Sequence, residues 1–450
     1  MSAIPGNDQT FKPQKNLAAA SAISFAIKLF GAVLSYGMVV VLAHLLSTEE
    51  YGRFAFGLNA AIILSTVGNM GFSTGIMRFW PKFLVTNEVA AAKGTVHLAF
   101  RSALMGGVLV GVFCVLGTLL ANFFGIAADV ATAAVIATLA LTISLGDTAT
   151  NLLRAQGSTL LSMLPRDVLW RLLIPALSYG ALRAGLGLTG TGALAISAGI
   201  LLVLDVWQGQ HIQRYLAAIG SAAPAYVSFN SLRATLVPLW LIGVIYAMIQ
   251  QFDVVIVGTL LGKAEAGPYF AAQKTAQLLS LVLIAGGMVT APTMAALYHA
   301  HKLQELQALC RKLALAIAAV TAAGFAVLIV AGKLLLGVFD PAFVAAYPIL
   351  LIIGFGAVID AMSGPNAYLM QMTRFEWPYV KVMVATYGVV IVAQILLIPH
   401  FGAIGAALAS AGGVIMWNVA SIIILRRHAG LDPSLIGVFA NPKPGAKVHD

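Results

Sequence analysis

The sequence predicts an all-α polytopic membrane protein of about twelve transmembrane helices in two parallel six-helix lobes, and three observations predict it. The first is composition: 60% of the 450 residues are hydrophobic and 9% are charged, whereas a soluble domain carries roughly a quarter charged residues. The second is block length. Apolar residues come in continuous runs of about twenty, enough helix to cross about 30 Å of hydrocarbon, and not in the ten-residue alternating segments of a barrel. The third is the placement of Lys and Arg, which alternates between loops as the positive-inside rule requires.

The expected spans are Leu17–His44, Phe54–Met77, Val96–Phe124, Ala131–Leu153, Leu160–Leu182, Gly190–Val206, Leu232–Leu261, Tyr269–Leu297, Leu313–Phe339, Tyr347–Met370, Pro378–Ile398 and Ala403–Leu425. The first follows Lys12 and Lys15. It is too long for a signal peptide, carries Lys28 in its middle and lacks a cleavage site, so it reads as a retained helix. The next five are separated by loops that hold Arg53, then Arg78, Lys82 and Lys93, then Arg154, then Arg183. A polar stretch, Gln208–Ser231, parts the sixth from the seventh. The seventh holds Pro238 and the polar run Gln250, Gln251, Asp253. The eighth holds Gln273, Lys274 and Gln277, and the tenth holds Asp360. The expected organisation is therefore an N-terminal lobe over 1–216, a C-terminal lobe over 217–428 and a cytoplasmic tail over 429–450.

Sorting the loops onto alternate sides puts twenty of the 26 Lys and Arg residues on one side. Arg53, Arg183, Lys263 and Lys333 fall on the other, and Lys28 and Lys274 lie inside spans. Such a split implies an even helix count with both termini in the cytoplasm. The net charge of +10 then reflects topology and contact with anionic lipid headgroups, and no basic domain exists to bind nucleic acid. Cys114 and Cys310 both lie in apolar runs and read as small buried hydrophobes, not as a disulfide. No Cys/His cluster has metal-ligand spacing. No phosphate-binding loop is present, so the chain does not hydrolyse ATP itself. A membrane glycan polymerase or ligase is a remote alternative: it would need a large catalytic loop outside the bilayer, and the non-cytoplasmic loops are mostly about ten residues or fewer.

An internal repeat appears at a shift of 215. Leu45-Leu46-Ser-Thr-Glu-Glu50-Tyr-Gly52-Arg-Phe54 aligns with Leu260-Leu261-Gly-Lys-Ala-Glu265-Ala-Gly267-Pro-Tyr269. Without gaps, the same shift pairs Gly71 with Gly286, Asn151 with Asn366, Gln156 with Gln371 and Gly187 with Gly402. Six helices per copy means that both copies enter from one side. The repeat is thus parallel, with its axis along the membrane normal and a cavity expected between the lobes.

Ionisable groups in hydrocarbon are costly and face a cavity or a partner. Lys28 is near mid-membrane, too deep to snorkel, and is either a cavity cation or the partner of an aspartate. Asp253 and Gln250 form a polar patch that reads as a cavity site or as interhelical bonding. Lys274 and Gln277, three apart, share a helix face. Asp147 and Asp360, on equivalent helices, are open to pairing with nearby Arg or Lys. Asp205 is expected near a helix end, where solvation is easy. Arg78, Arg101, Arg154, Arg166 and Arg171 cluster at the cytoplasmic mouth of the first lobe, as the positive-inside rule alone would place them. Arg also suits bidentate capture of phosphate.

The motifs Leu45-Leu46-x-x-x-Glu50-x-Gly52-x-Phe54, Asp253-x-x-x-x-Gly258, Leu152-Leu153-Arg154-Ala-Gln-Gly and Gly402-x-x-Gly405-Ala-Ala-x-Ala, in this order, resemble polysaccharide-type flippases of the multidrug/oligosaccharidyl-lipid/polysaccharide exporter superfamily. The likeness spans essentially the whole chain. It implies a V-shaped pair of lobes in a bacterial inner membrane and a non-enzymatic transporter. The cargo implied is an undecaprenyl-pyrophosphate-linked oligosaccharide for O-antigen, capsule or exopolysaccharide, moved from the cytoplasmic to the periplasmic leaflet. Lys28 and the mouth arginines fit an anionic head by charge. A glycan polymerase and a chain-length regulator are the partners implied. No cofactor is implied, and whether a proton, sodium or the product gradient drives transport stays open. The two extra C-terminal helices of peptidoglycan-precursor flippases are missing. A cation-coupled multidrug exporter is the alternative, but it calls for an acid-dominated cavity, whereas Lys28 and Lys274 counter the aspartates here.

Overall fold

The computed structural model describes residues 17–125, 129–220, 222–372, 375–435 and 437. Lys12, Lys15, Arg374, Lys443 and Lys447, which contribute to the expected charge alternation, lie outside these residues, as does most of 429–450. The described chain is all-helical, with no strand. Its helices in order are α1 (Leu17–Leu45), α2 (Thr48–Gly68), α3 (Phe72–Val85), α4 (Val89–Phe123), α5 (Val130–Ala155), α6 (Thr159–Leu164), α7 (Trp170–Arg183) and α8 (Gly190–Ala218). There follow α9 (Phe229–Leu260), α10 (Lys263–His299), α11 (Leu303–Gly337), α12 (Tyr347–Met362), α13 (Asn366–Met372), α14 (Glu376–Phe401) and α15 (Ala403–His428). A π turn, Pro165–Leu169, joins α6 to α7, and a 3-10 turn, Pro341–Ala346, precedes α12.

Each of the twelve expected spans has its counterpart, and three are broken where one straight helix was expected. The second is split into α2 and α3, bent by 45°. Met70 and Gly71, both at positive φ, make the break, and Asn69 stabilises it. The Asn69 amide donates to Ser144 O and Thr148 Oγ1, each at 3.1 Å, while its carbonyl accepts from Ser73 N at 2.6 Å. The fifth carries the π turn at Pro165, whose ring removes a backbone donor. The tenth ends at Met362, and the chain resumes as α13 after Gly364, which has φ of 71°. Among the described residues nine helices are long and apolar enough to cross a membrane, or ten with α2 and α3 counted as one span. Their outer faces are apolar: Phe113 is 66% exposed, Val203 68%, Val330 87% and Leu396 63%. Water would penalise such a surface and lipid does not.

The chain divides into two compact units. One contains the described residues up to Leu45 together with Gly57–Gln251; the other contains Leu46–Phe56 and the described residues from Phe252 onward. The first turns of α2 thus count with the second unit, and α9 is divided near Gln251. Helix boundaries repeat at the shift of 215: α1 ends at Leu45 and α9 at Leu260, while α2 begins at Thr48 and α10 at Lys263. The polar stretch after α8 is docked in the first unit. Ala225 N donates to Ala90 O at 2.8 Å, and the ammonium of buried Lys93 donates to Gly220 O at 2.6 Å. In the second unit the chain beyond α15 folds back. The Gln307 amide both donates to Asp432 O at 2.5 Å and accepts from Asp432 N at 2.9 Å, and Arg426 Nε donates to the Asp432 carboxylate at 2.7 Å.

Candidate functional site

In the second unit the two copies of the repeated motif meet. The first turns of α2 cross those of α10, with Gly52 against Gly267. A Cβ on Gly52 would run into the carbonyl oxygen of Lys263; a Cβ on Gly267 would lie 3.2 Å from the carbonyl oxygen of Thr48 and 3.1 Å from the Tyr51 ring. Residues 48 and 263, like 52 and 267, are related by the shift of 215, so the crossing is symmetric about the repeat. Small residues at such a contact let two backbones touch, which is how helices associate in lipid. Tyr51 stacks against Phe343, with ring centroids 5.4 Å apart.

Beside this crossing the Lys263 ammonium sits 2.9 Å from the centroid of the Phe56 ring and donates to Gly258 O at 3.0 Å. Burial, helped by the charge of Arg53, pulls Lys263 down to about 8. Between that value and the roughly 10.4 of an unperturbed lysine the unfolded chain binds more protons than the folded one. The Lys263 contribution to stability therefore rises with pH across this window. Acylation of Lys263 by a small amine-directed reagent, followed by mass spectrometry, should half-saturate near pH 8; reaction only at the pH of an unperturbed lysine would refute the shift.

Asp253 lies on α9 and is 6% exposed. Three donors converge on it within the second unit. The Gln394 amide of α14 donates to Oδ1 at 2.7 Å, the Ser410 hydroxyl of α15 to Oδ2 at 2.7 Å and the Tyr269 hydroxyl of α10 to Oδ2 at 3.0 Å. A carboxylate offers about four acceptor positions, so the protein itself fills most of them. The knot ties four helices together across apolar surroundings, where an unmade hydrogen bond is expensive. Also in the second unit, Asn366 donates to Asn418 Oδ1 at 2.6 Å, and Asn418 donates to Asp360 Oδ1 at 2.9 Å.

In the first unit Arg166, on the π turn, pairs with Asp147 of α5. Arg171 of α7 pairs with Asp167 at 3.3 Å and also donates to Gly31 O of α1. Asp205 of α8, expected to be solvated, has its Oδ2 buried with no hydrogen-bond partner. Lys28 is exposed on α1, and Arg78, Arg101 and Arg154 are exposed on α3, α4 and α5. Gln250 is half-buried, on the part of α9 that counts with the first unit. Lys274 is half-buried in the second, donating to Gln277 at 3.1 Å with the Phe270 ring 5.2 Å from its ammonium. Among the described residues no group of three or more His, Cys, Asp or Glu is placed to hold a metal.

A family model described as "Polysaccharide biosynthesis protein" matches residues 17–298, well over half of the chain. The chain belongs to the polysaccharide biosynthesis protein family. Its fold is shared with solved transporter structures. A solved multidrug resistance MATE family transporter of the MOP superfamily, in an inward-facing conformation, superposes with a TM-score of 0.67 at 14% identity. The match covers 90% of this chain and 93% of that one. A MOP superfamily transporter from Pyrococcus furiosus Vc1 (DSM3638), for which a binding pocket of reversed polarity is described, gives 0.62 at 15% identity over 94% of each chain. At such identities the likeness carries the fold alone. Among curated proteins none matches.

For this family member the sequence reading brought out Asp253, Lys274 and Gln277 but missed Gln394, Ser410 and Asn418. Gln394 and Asn418 carried one signal, an uncharged amide in the middle of an apolar run. A lone serine such as Ser410 carries none, since a membrane helix satisfies a hydroxyl on its own backbone as readily as on a partner.

Proposed function

We propose that this protein is a flippase that carries undecaprenyl-pyrophosphate-linked oligosaccharide, the precursor of O-antigen, capsule or exopolysaccharide, from the cytoplasmic to the periplasmic leaflet of a bacterial inner membrane. The observation that carries the proposal is the conjunction of a polysaccharide-biosynthesis family with a transporter fold. A membrane protein of glycan assembly either makes bonds or moves an intermediate. A glycan intermediate confined to a membrane is joined to lipid through phosphate, so its head is anionic. Exposed cations suit that head: Lys28 deep in α1, and Arg78, Arg101 and Arg154 on α3 to α5. Lys274, Gln277 and Gln250 supply hydrogen-bonding groups for sugar along the path. Arg166 and Arg171 are held by aspartates and serve the mouth through its shape. Asp253 supports the second lobe from inside. Alternating access moves the head while the lipid tail stays in the bilayer, and a polymerase then uses the flipped unit.

Deletion of the gene should trap lipid-linked repeat units on the cytoplasmic leaflet and abolish the surface glycan. Lys28→Ala should insert at normal levels and lose about 90% or more of transport, since the phosphates then lose a countercharge within the membrane. Full activity in Lys28→Ala removes Lys28 from the path, and extrusion of cationic drugs with an intact surface glycan favours the exporter instead.

A further inference from the structure

The described carboxylates inside the helices are satisfied in different ways. Asp147 pairs with Arg166, Asp360 accepts from Asn418, and Asp253 accepts three hydrogen bonds. Asp205 differs: among the described residues it is the one aspartate or glutamate with a buried oxygen, Oδ2, that lacks a hydrogen-bond partner. Its other oxygen is pressed onto α5, where a Cβ on Gly146 would lie 2.6 Å from Oδ1. A small cavity lies at this point, lined by Gly146 and Thr150 of α5, Arg166 of the π turn, and Asp205 and Gln208 of α8. It has room for about one water molecule.

The charges around Asp205 are few. Arg166 faces it from the π turn, and Arg166 is itself paired with Asp147 of α5. Behind Arg166, Asp167 is neutralised by Arg171 of α7. With Asp205 ionised, two carboxylates share one guanidinium and the group carries a net charge of about −1 in a nonpolar setting, which is costly. A metal cation placed there would be repelled by Arg166. A proton removes the charge outright and turns Asp205 Oδ2 into a hydroxyl that can donate to a water held there. The π turn carries Arg166, and it is an extra-residue distortion of the kind that marks functional positions in helices.

We propose that Asp205 is a proton-binding site, closed over by α5 and the π turn, where a proton is taken up while Arg166 is engaged by Asp147. Uptake converts the carboxylate and one proton into the neutral acid, and release reverses it. That this cycle drives transport rests on the flippase reading; the proton site itself does not.

The test is infrared difference spectroscopy on the full chain in lipid nanodiscs. A protonated-carboxyl C=O band should be present at neutral pH, shift on deuterium exchange and disappear in Asp205→Asn. It should persist in Asp360→Asn. Arg166→Gln should strengthen the band at neutral pH, because losing the neighbouring cation favours the neutral acid. If Asp205→Asn fails to insert, Gly146→Ala serves: it leaves the carboxyl in place but pushes on it, and should shift the band frequency. No such band at any pH, or a band untouched by both Asp205→Asn and Gly146→Ala, overturns the proposal whatever the protein carries. In proteoliposomes loaded with a pH-sensitive dye, wild type should move protons with lipid-linked glycan, and Asp205→Asn should lose proton movement. A band that obeys these expectations with no glycan transport would sink the flippase reading and leave the proton site standing.

Discussion

Gly52→Ala should be among the most damaging conservative changes in the chain, lowering stability by about 3 kcal/mol or more, at or beyond the upper end of overpacking effects. A helical Gly→Ala exchange ordinarily stabilises by roughly 0.5–1 kcal/mol. Here the new methyl would occupy the place of the Lys263 carbonyl oxygen. Backbone has no rotamer by which to retreat, so α2 and α10 must separate at their crossing. Gly267→Ala should cost less, about 1–2 kcal/mol, because its methyl would meet the Tyr51 ring edge at 3.1 Å and the Thr48 carbonyl at 3.2 Å, and the ring can give. Gly117→Ala, on an open face of α4 with nothing within 4 Å, is the control and should be neutral or mildly stabilising. Thermal unfolding of the three variants in one detergent gives the order. If Gly52→Ala proves no worse than Gly117→Ala, the symmetric crossing is not as close as described.

Asp253→Ala should follow, at about 3–5 kcal/mol. Truncation leaves the Tyr269 hydroxyl, the Gln394 amide and the Ser410 hydroxyl buried without their acceptor, and each such loss costs about 1–3 kcal/mol. The sum is less than additive, because the Gln394 amide also donates to Ser410 Oγ at 3.1 Å and keeps that bond. Tyr269→Phe removes one donor and leaves the carboxylate its other two, so it should cost only about 1 kcal/mol. Asp253→Asn keeps the shape and one acceptor and should lie between them. A double-mutant cycle across Asp253 and Gln394 checks the assignment: coupling near zero would mean that the knot does not act as a unit.

The repeat and the buried charges were legible to different depths. The shift of 215 was visible because Glu50 and Glu265, Gly52 and Gly267, and Asn151 and Asn366 recur without gaps. Their meaning was not visible. That Gly52 and Gly267 touch, so that the first turns of α2 count with the second unit, depends on how helices cross. Pairing of Asp147 with a nearby Arg was one of the readings the sequence left open, and Arg166 is that partner. Asp205 was expected in solvent because it is close to the end of an apolar run. The helix continues to Ala218, three turns beyond that run, so Asp205 is not at a helix end.

The sequence by itself determined that this chain is helical and that it crosses a membrane many times. Those properties follow from summed hydrophobicity, block length and loop charge, and none of them depends on how a helix is rotated about its axis. Tertiary structure alone decided which polar groups meet. Asp253 finds Gln394 and Ser410 across 141 and 157 residues, and Asp205 comes to face Arg166. A helix that is apolar on every side gives no periodicity from which to infer its inward face. In lipid that rotation is set by close packing of small residues and by a few hydrogen bonds between helices. These are contacts between distant parts of the chain, and they exist only once the helices have packed.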